Sequence, residues 1–171
     1  VLTKIFLKKD IRKIGSGNIG ATNVLRSGKK ILGVSTLTLD SLKAYISVII
    51  AMNYFQDYIY FSALLCFLGH IFPIWLKFKG GKGIAVYIGV LFAFSLYLGC
   101  VFIISWIVIL YFSKYSSLSS LISTLVTFLY SISLSNFNMS LFIFIVFIIV
   151  IYTHRENILR IKNKTEDKIN L

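Results

Sequence analysis

Charged residues, and acidic ones above all, are scarce in this 171-residue chain. They make up 14% of it, with six Asp and Glu against eighteen Lys and Arg. Soluble domains usually carry about 25% charged and about 45–50% apolar residues. Here 57% of the residues are hydrophobic and the mean hydropathy is +0.84. That many apolar side chains cannot be buried in one water-facing globule, which excludes a soluble enzyme and a disordered tail.

Proline and cysteine are also nearly absent. There is one proline, and Cys66 and Cys100 lie within apolar runs without a CxxC pair. The pattern therefore indicates neither a disulfide framework nor a metal site. A membrane-spanning helix needs about 20 apolar residues, so the length allows roughly five to seven crossings. We predict an all-α integral membrane protein, a multi-span helical bundle that forms a single domain over residues 1–171.

The distribution of positive charge predicts the topology. Basic residues cluster in residues 4–30, in 77–83 and in the tail from 154 onward, and basic loops favour the cytoplasmic side. Two crossings connect the first cluster to the second. A single crossing by the uncharged stretch 84–112 would leave the tail outside, so we prefer two crossings with a turn near 95–99. This predicts six membrane segments, with the basic loops and the tail on one face.

The first candidate motif is GSGNIGATN at residues 15–23. It contains a formal GxGxxG, and Asp40 lies 20 residues beyond Gly20. No β-strand precedes it and Asp40 lies in a predicted span, so a dinucleotide fold is rejected. Glycines still let backbone N–H groups approach an anion, and the alternative is a flexible interfacial loop. On a membrane scaffold the positive charge indicates lipid headgroups and topology, not nucleic acid.

Two further motifs contain groups suited to phosphate chemistry. KFKGGKG at 77–83 is not a Walker A loop, but its glycines around Lys82 are suited to cradling a phosphate; the alternative is a topology loop. His154, Asn157 and Arg160 should share one face of a continuing helix. His154 is then a candidate general base or hydrogen-bond donor, and the alternative is a solvated basic tail.

A polar stripe runs along one predicted span. It consists of Thr36, Asp40, Lys43 and Ser47, and Asp40 can pair with Lys43. Ionisable groups at membrane depth are costly and usually face a bundle interior or a water-filled cavity. The stripe therefore indicates a functional or supporting role, or else a purely structural ion pair. His70, taken alone, is typical of a buried histidine.

Together these motifs resemble one family, the bacterial acyl-phosphate:glycerol-3-phosphate acyltransferases (PlsY). The resemblance covers nearly the whole chain and rests on four segments in order: DIRKIGSGNIGATNVLR (10–26), LDSLKA (39–44), GHIFPIWLKFKGGKGIA (69–85) and HRENILRIKNKTE (154–166). It implies a seven-helix fold, of which residues 1–6 look like the end of a first span, so the chain is expected to be truncated at its N-terminus.

The family resemblance also implies an activity. A fatty acyl group would pass from acyl phosphate to the 1-hydroxyl of glycerol 3-phosphate, giving lysophosphatidate and phosphate. No metal, cofactor or coenzyme A would be needed. The enzyme would be a multi-pass protein of the bacterial inner membrane, in contact with lipid. Its active site and C-terminus would be cytoplasmic, and an upstream enzyme that forms acyl phosphate is a possible partner.

The same resemblance implies roles for particular residues. Those expected to be catalytic are Ser16, Arg26, His154 and Asn157. Those expected to bind substrate phosphate are Gly15, Gly17, Asn18, Thr22, Asn23, Lys43, Gly80, Gly81, Lys82 and Gly83. Those expected to support the site are Asp40, His70 and Glu166. The chain departs from the family pattern at three positions, where it has Ala44 for Gly, Val86 for Thr and Lys164 for Gly.

Two questions stay open at this level. The proton of the attacking alcohol can pass to His154 or to the leaving phosphate. The runner-up function is an organic-phosphate transporter, which should show internal repeats and a midplane site; the chain shows no repeat, and its polar motifs are predicted to cluster at one face. A non-catalytic scaffold would explain the charge but not the glycines.

Overall fold

The computed structural model describes residues 11, 17–26 and 28–169, and these form helices and connecting loops without a β-strand. The prediction of an all-α membrane fold is confirmed. The α-helices in this part of the chain are α1 (Ala21–Arg26), α2 (Lys30–Tyr54), α3 (Ile59–Ile71), α4 (Ile84–Phe94), α5 (Leu96–Ser113), α6 (Ser116–Ser133), α7 (Phe137–Thr153) and α8 (Arg155–Lys162). Short 3-10 turns at Gln56–Tyr58 and Ile74–Leu76 flank α3.

Several of these segments are long and apolar enough to cross a membrane. Four qualify by length and composition: Lys30–Tyr54, Gln56–Leu76, Leu96–Ser113 and Ser116–Ser133. Helices α7 and α8 qualify together as a pair bent by 58°, and α4 is a shorter apolar helix. The described residues therefore contain four or five helices of membrane-spanning length and one shorter apolar helix. The six membrane segments that the basic loops indicate remain a prediction.

The uncharged stretch 84–112 is divided into two helices at Ser95. Ser95 has extended backbone angles, and its hydroxyl accepts a hydrogen bond from the Tyr97 N–H at 3.2 Å. This is an N-cap, which starts α5 as a separate helix. At 1.5 Å per residue, α4 is roughly 16 Å long, about half of the hydrocarbon thickness. The predicted break is present, and α4 is a half-length segment.

The chain divides into two compact units, Val1–Val90 and Leu91–Leu171. In the first unit, α2 packs against α1 and α3. Its buried positions are small or β-branched, among them Gly33, Ala44 and Val48. A Cβ at Gly33 would overlap the Leu25 side chain. Small residues let helices approach closely where lipid surrounds the bundle, and the Ser41 hydroxyl donates to the Ala85 carbonyl at 2.7 Å.

In the second unit, α6 packs between α5 and α7 with its polar face inward. Its outward positions include the exposed Leu129 and Ile132. Trp106 on α5 donates from Nε1 to the Ser120 hydroxyl at 3.1 Å. This inside-out pattern is the one expected when hydrocarbon replaces water as the solvent. The buried hydroxyl-bearing residues are Ser117, Ser119, Ser120, Ser123, Thr124, Thr127 and Ser131.

The expectation that one helix continues through His154 is wrong. The helix is interrupted there, and α7 and α8 meet at 58°. His154 leaves helical geometry at φ −100° and ψ 7°, and its N–H is shared between the carbonyls of Val150 and Ile151. The change of direction coincides with a change from apolar to charged side chains. Asn157 and Arg160 therefore lie on α8, and His154 lies at the corner.

Candidate functional site

Part of the first motif lies outside the described residues. This applies to Gly15 and Ser16, and to the side chain of Arg26, whose backbone ends α1. Of the remaining predicted residues in this motif, Gly17 is exposed, with a left-handed φ of 70°. Asn18 and Thr22 are half-buried.

Asn23 stabilises the loop before α1. It is 2% exposed, and its Nδ2 donates to the carbonyls of Ile11 at 3.1 Å and Asn18 at 2.8 Å. The two amide hydrogens thus fix the chain on either side of the glycines. The sequence predicted that Asn23 would contact phosphate directly, whereas the described geometry gives its amide nitrogen a role in shaping the loop.

The second glycine motif folds back onto the end of α3. The Gly80 N–H donates to the Ile71 carbonyl at 3.0 Å, and the Gly81 N–H donates to the His70 carbonyl at 3.2 Å. These bonds satisfy carbonyls that a helix C-terminus leaves without an intrahelical donor. We expected these N–H groups to face a phosphate, but in this structure they cap α3. The next glycine, Gly83, has φ 87° and leads directly into the N-terminus of α4.

Asp40, Lys43 and His70 form one polar cluster. Lys43 Nζ lies 2.6 Å from Asp40 Oδ1 and 3.0 Å from His70 Nδ1, and that nitrogen is 3.7 Å from Asp40 Oδ1. The predicted Asp40–Lys43 pair is therefore present. The His70 side chain is 9% exposed and the Lys43 side chain 46%. The contact with His70 joins α2 to α3 across 27 positions, and no local pattern in the sequence predicts it.

His154 and Asn157 are both 3% exposed. His154 Nδ1 lies 2.9 Å from the Val150 carbonyl oxygen, which can only accept. The proton of a neutral ring must therefore be on Nδ1, so Nε2 carries the lone pair. Thr153 Oγ1 is 3.4 Å from the same Nδ1. This tautomer is the one in which Nε2 can accept a proton.

Asn157 is oriented by a buried carboxylate. Glu166 Oε1 accepts from Asn157 Nδ2 at 2.6 Å and from the Ser117 hydroxyl at 2.7 Å, and Oε2 accepts from Arg160 Nε at 2.7 Å. Burial alone would raise the pKa of Glu166, but the hydrogen bonds and the Arg160 charge outweigh it, so the pKa lies below its ordinary value. The sequence assigned Glu166 a supporting role, but it provided no signal for Ser117, 49 positions away.

A left-handed turn brings Glu166 back to α8. The Thr165 N–H donates to the Arg160 carbonyl at 2.8 Å and the Lys164 N–H to the Ile161 carbonyl at 3.1 Å. This is a Schellman motif, and Lys164 occupies its left-handed position at φ 59°. Lys164 is also one of the three departures from the family pattern, which has glycine there.

The described residues offer cations, hydroxyls and backbone donors suited to anionic substrates. They contain no group of three His, Cys, Asp or Glu side chains close enough to hold a metal ion. Several apolar helices of membrane-spanning length, with clusters of polar side chains within and between them, define the class: a multi-pass integral membrane protein.

Comparison with known proteins identifies the family. The family model described as "Glycerol-3-phosphate acyltransferase" matches residues 1–164. A glycerol-3-phosphate acyltransferase of Pelagibacter ubique is 57% identical over 171 residues, which is all of this chain and 89% of the relative. One of Rhodopseudomonas palustris is 44% identical, over 99% of this chain and 87% of the relative.

Two crystal structures share the fold. PlsY (YgiH), an integral membrane glycerol 3-phosphate acyltransferase, matches in its glycerol 3-phosphate form with a TM-score of 0.93 and 35% identity. That match covers 99% of this chain and 88% of the other. Its lysophosphatidic acid form matches with a TM-score of 0.87 and 36% identity. That match covers 91% of this chain and 82% of the other. The chain belongs to the glycerol-3-phosphate acyltransferase family.

Proposed function

We propose that this protein transfers a fatty acyl group from acyl phosphate to the 1-hydroxyl of glycerol 3-phosphate. The products are 1-acyl-glycerol 3-phosphate (lysophosphatidate) and inorganic phosphate. The observation that carries the proposal is the match, over nearly the whole chain, to a crystal structure in its glycerol 3-phosphate form. The assignment of acyl phosphate as donor rests on the resemblance of the four sequence motifs.

The reaction needs positioning and charge neutralisation more than a powerful nucleophile. The glycerol hydroxyl oxygen attacks the acyl carbonyl carbon and forms the new ester bond. The bond from that carbon to the phosphate oxygen breaks, and the electron pair leaves with phosphate. Because acyl phosphate is already an activated anhydride, the proposed reaction requires neither a metal nor coenzyme A.

His154 is the proposed acceptor of the hydroxyl proton. Its Nδ1 hydrogen bond to Val150 leaves the lone pair on Nε2, as a general base requires. Asn157, held by Glu166, is the proposed polar partner beside it. The alternative acceptor is the leaving phosphate, and in that case His154 would only bind and orient substrate.

The substrate phosphates are proposed to bind at the two glycine motifs and the Lys43 ammonium. Gly80 and Gly81 shape the second loop, since their N–H groups cap α3, and Asp40 and His70 support Lys43. Ser16 and Arg26 are proposed to be catalytic. The other proposed phosphate-binding residues are Gly15, Gly17, Asn18, Thr22, Lys82 and Gly83, and Asn23 is proposed to act on the phosphate site by holding the first loop.

The proposed setting is the inner membrane of a bacterium. Residues 1–171 would act as one membrane-embedded domain, with the glycine motifs and the C-terminal tail on the cytoplasmic face. Lipid would supply the hydrophobic surroundings for the acyl chain. Since acyl phosphate is unstable and amphiphilic, the proposed upstream partner is an enzyme that forms it.

The test is a reconstituted assay. Purified protein in detergent or lipid vesicles is given acyl phosphate and glycerol 3-phosphate, and lysophosphatidate is measured. Acyl-CoA replaces acyl phosphate in the matched control. Product from acyl phosphate alone supports the proposal. Product from acyl-CoA alone would overturn the donor assignment, and no product from either would overturn the function.

A further inference from the structure

We propose that His70 is a positioning residue that sets the distance between Lys43 and the Gly80–Gly83 loop, so that both contact the same substrate phosphate. The inference rests on the proposed function for the identity of that phosphate. It goes beyond a general supporting role because it assigns separate tasks to the two edges of one imidazole ring. One edge orients Lys43, and the other leaves no room for a side chain at residue 81, which is glycine.

The first edge of the ring is the Nδ1 edge. Lys43 Nζ lies 3.0 Å from His70 Nδ1. An ammonium group has hydrogens to donate and no lone pair, so Nδ1 must be the acceptor. The neutral ring then carries its hydrogen on Nε2. His70 thus accepts a hydrogen bond from Lys43 through the Nδ1 lone pair. Because the ring is neutral, it does not compete with the Lys43 ammonium for an anion.

Lys43 retains donor capacity for substrate. One ammonium hydrogen is directed to Asp40 Oδ1 at 2.6 Å and another to His70, and the ammonium has a third. The side chain is also 46% exposed. The two fixed contacts hold a flexible four-carbon side chain in one direction. An oriented cation binds an anion with less loss of side-chain entropy than a free one.

The second edge of the ring faces the glycine loop. A Cβ added to Gly81 would overlap His70 Nε2 and approach Cε1 to 3.1 Å and Cδ2 to 3.2 Å. The backbone reinforces this contact, since the Gly81 N–H donates to the His70 carbonyl. Lys43 and Gly81 are therefore separated by the width of one imidazole ring. A methyl group at position 81 would displace the ring, and Lys43 with it.

The neighbouring Gly69 provides a matched control. It is the residue before His70 on α3, and an added Cβ there would meet nothing within 4 Å. Gly69→Ala therefore tests the general effect of a methyl group at this helix end. Gly81→Ala tests the contact with the ring.

The decisive variants at His70 separate its two edges. His70→Asn places a carboxamide oxygen near the position of Nδ1, where it can accept from Lys43, but it removes the Nε2 edge. His70→Leu retains bulk and removes the acceptor. Steady-state kinetics with acyl phosphate and glycerol 3-phosphate give kcat and both KM values. Thermal unfolding in detergent, with and without glycerol 3-phosphate, reports folding and binding without turnover.

We expect Gly81→Ala and His70→Leu each to raise the KM of a phosphate-bearing substrate about tenfold or more, with a smaller change in kcat. Gly69→Ala should stay within about threefold of the unsubstituted protein. His70→Asn, which keeps an acceptor for Lys43 but lacks the second ring edge, should raise that KM by less than His70→Leu does. The double variant Gly81→Ala/His70→Asn should recover most of the loss caused by Gly81→Ala, because the overlapping ring edge has gone.

Three kinetic results would overturn the inference. In the first, the effects of Gly81→Ala and His70→Asn on KM multiply in the double variant. In the second, Gly69→Ala raises KM as much as Gly81→Ala does. In the third, His70→Leu folds and its KM is unchanged. A failure of the proposed function is distinguishable, since the unsubstituted protein would then make no lysophosphatidate. In that case the variants can still be compared by the rise in Tm that glycerol 3-phosphate causes. An equal rise in all variants would also overturn the inference.

Discussion

The two histidines of this chain are held in opposite tautomers by their neighbours. His70 Nδ1 accepts from the Lys43 ammonium, whereas His154 Nδ1 donates to the Val150 carbonyl. In a neutral imidazole, a given nitrogen either donates or accepts a hydrogen bond, but not both. His154 is therefore suited to accepting a proton through Nε2, and His70 to orienting a cation.

A kinetic prediction follows for His154. If it is the general base, His154→Ala should lower kcat about 10²–10⁴-fold and leave the KM of glycerol 3-phosphate within about threefold, since other residues are proposed to bind its phosphate. The measurement is steady-state lysophosphatidate formation. A raised KM with nearly unchanged kcat would instead assign His154 to substrate binding and the base role to the leaving phosphate.

A second prediction at this scale concerns pH. The pKa of Glu166 in the folded protein lies below the ordinary value of 4.5. Its contribution to stability is therefore complete above that value and is lost as the pH falls through the lower folded pKa. Thermal unfolding between pH 7 and 3 should show a fall in Tm in the acid range. Glu166→Gln should have a lower Tm at pH 7, and its Tm should depend less on pH in the acid range. Identical curves of Tm against pH for the variant and the unsubstituted protein would contradict the prediction.

At the scale of elements, the turn after α8 determines the position of Glu166. Lys164 has φ 59°, a left-handed conformation that costs a residue with a Cβ about 1–2 kcal/mol. Glycine adopts it without that cost but loses more backbone entropy on folding. The left-handed φ of Lys164 therefore carries strain that closes the Schellman motif, and the family resemblance predicts glycine at this position.

Lys164→Gly should therefore stabilise the protein by about 1 kcal/mol, measured as a higher Tm in detergent. The matched control is Lys162→Gly, at the last residue of α8, where no left-handed φ has to be relieved and Tm should not rise. Activity should persist in Lys164→Gly because the turn that carries Glu166 is retained. A lower Tm for Lys164→Gly would show that the left-handed conformation is not costly here.

The break at Ser95 shows how far a local pattern reaches. The sequence predicted that the uncharged stretch divides near 95–99, and Ser95 caps the N-terminus of α5. The interruption at His154 was not predicted, because the residues around it are compatible with a continuous helix. The segment after it is tied to α6, since Glu166 accepts from the Ser117 hydroxyl while it also accepts from Asn157 and Arg160 on α8.

At the scale of the whole molecule, the proposed topology has a direct test. Single cysteines replace Lys82, Arg155 and Gln56 in a background in which Cys66 and Cys100 are alanine. A membrane-impermeant maleimide should label positions 82 and 155 only in broken cells, because both belong to basic segments assigned to the cytoplasmic side. Position 56, in the loop without a basic residue, should be labelled in intact cells. Labelling of 82 and 155 from opposite sides would contradict the proposed arrangement.

The sequence by itself determined the class, the apolar segments and the family. Hydropathy and charge act locally, through the solvent that each segment requires, and four ordered motifs are specific enough to identify relatives. Only the tertiary structure decided that Gly80 and Gly81 cap α3, that His70 lies between Lys43 and Gly81, and that Glu166 holds Asn157. These contacts join residues that are far apart in the chain or separated by a turn, and their geometry depends on how the helices pack, which no local pattern of residue types encodes.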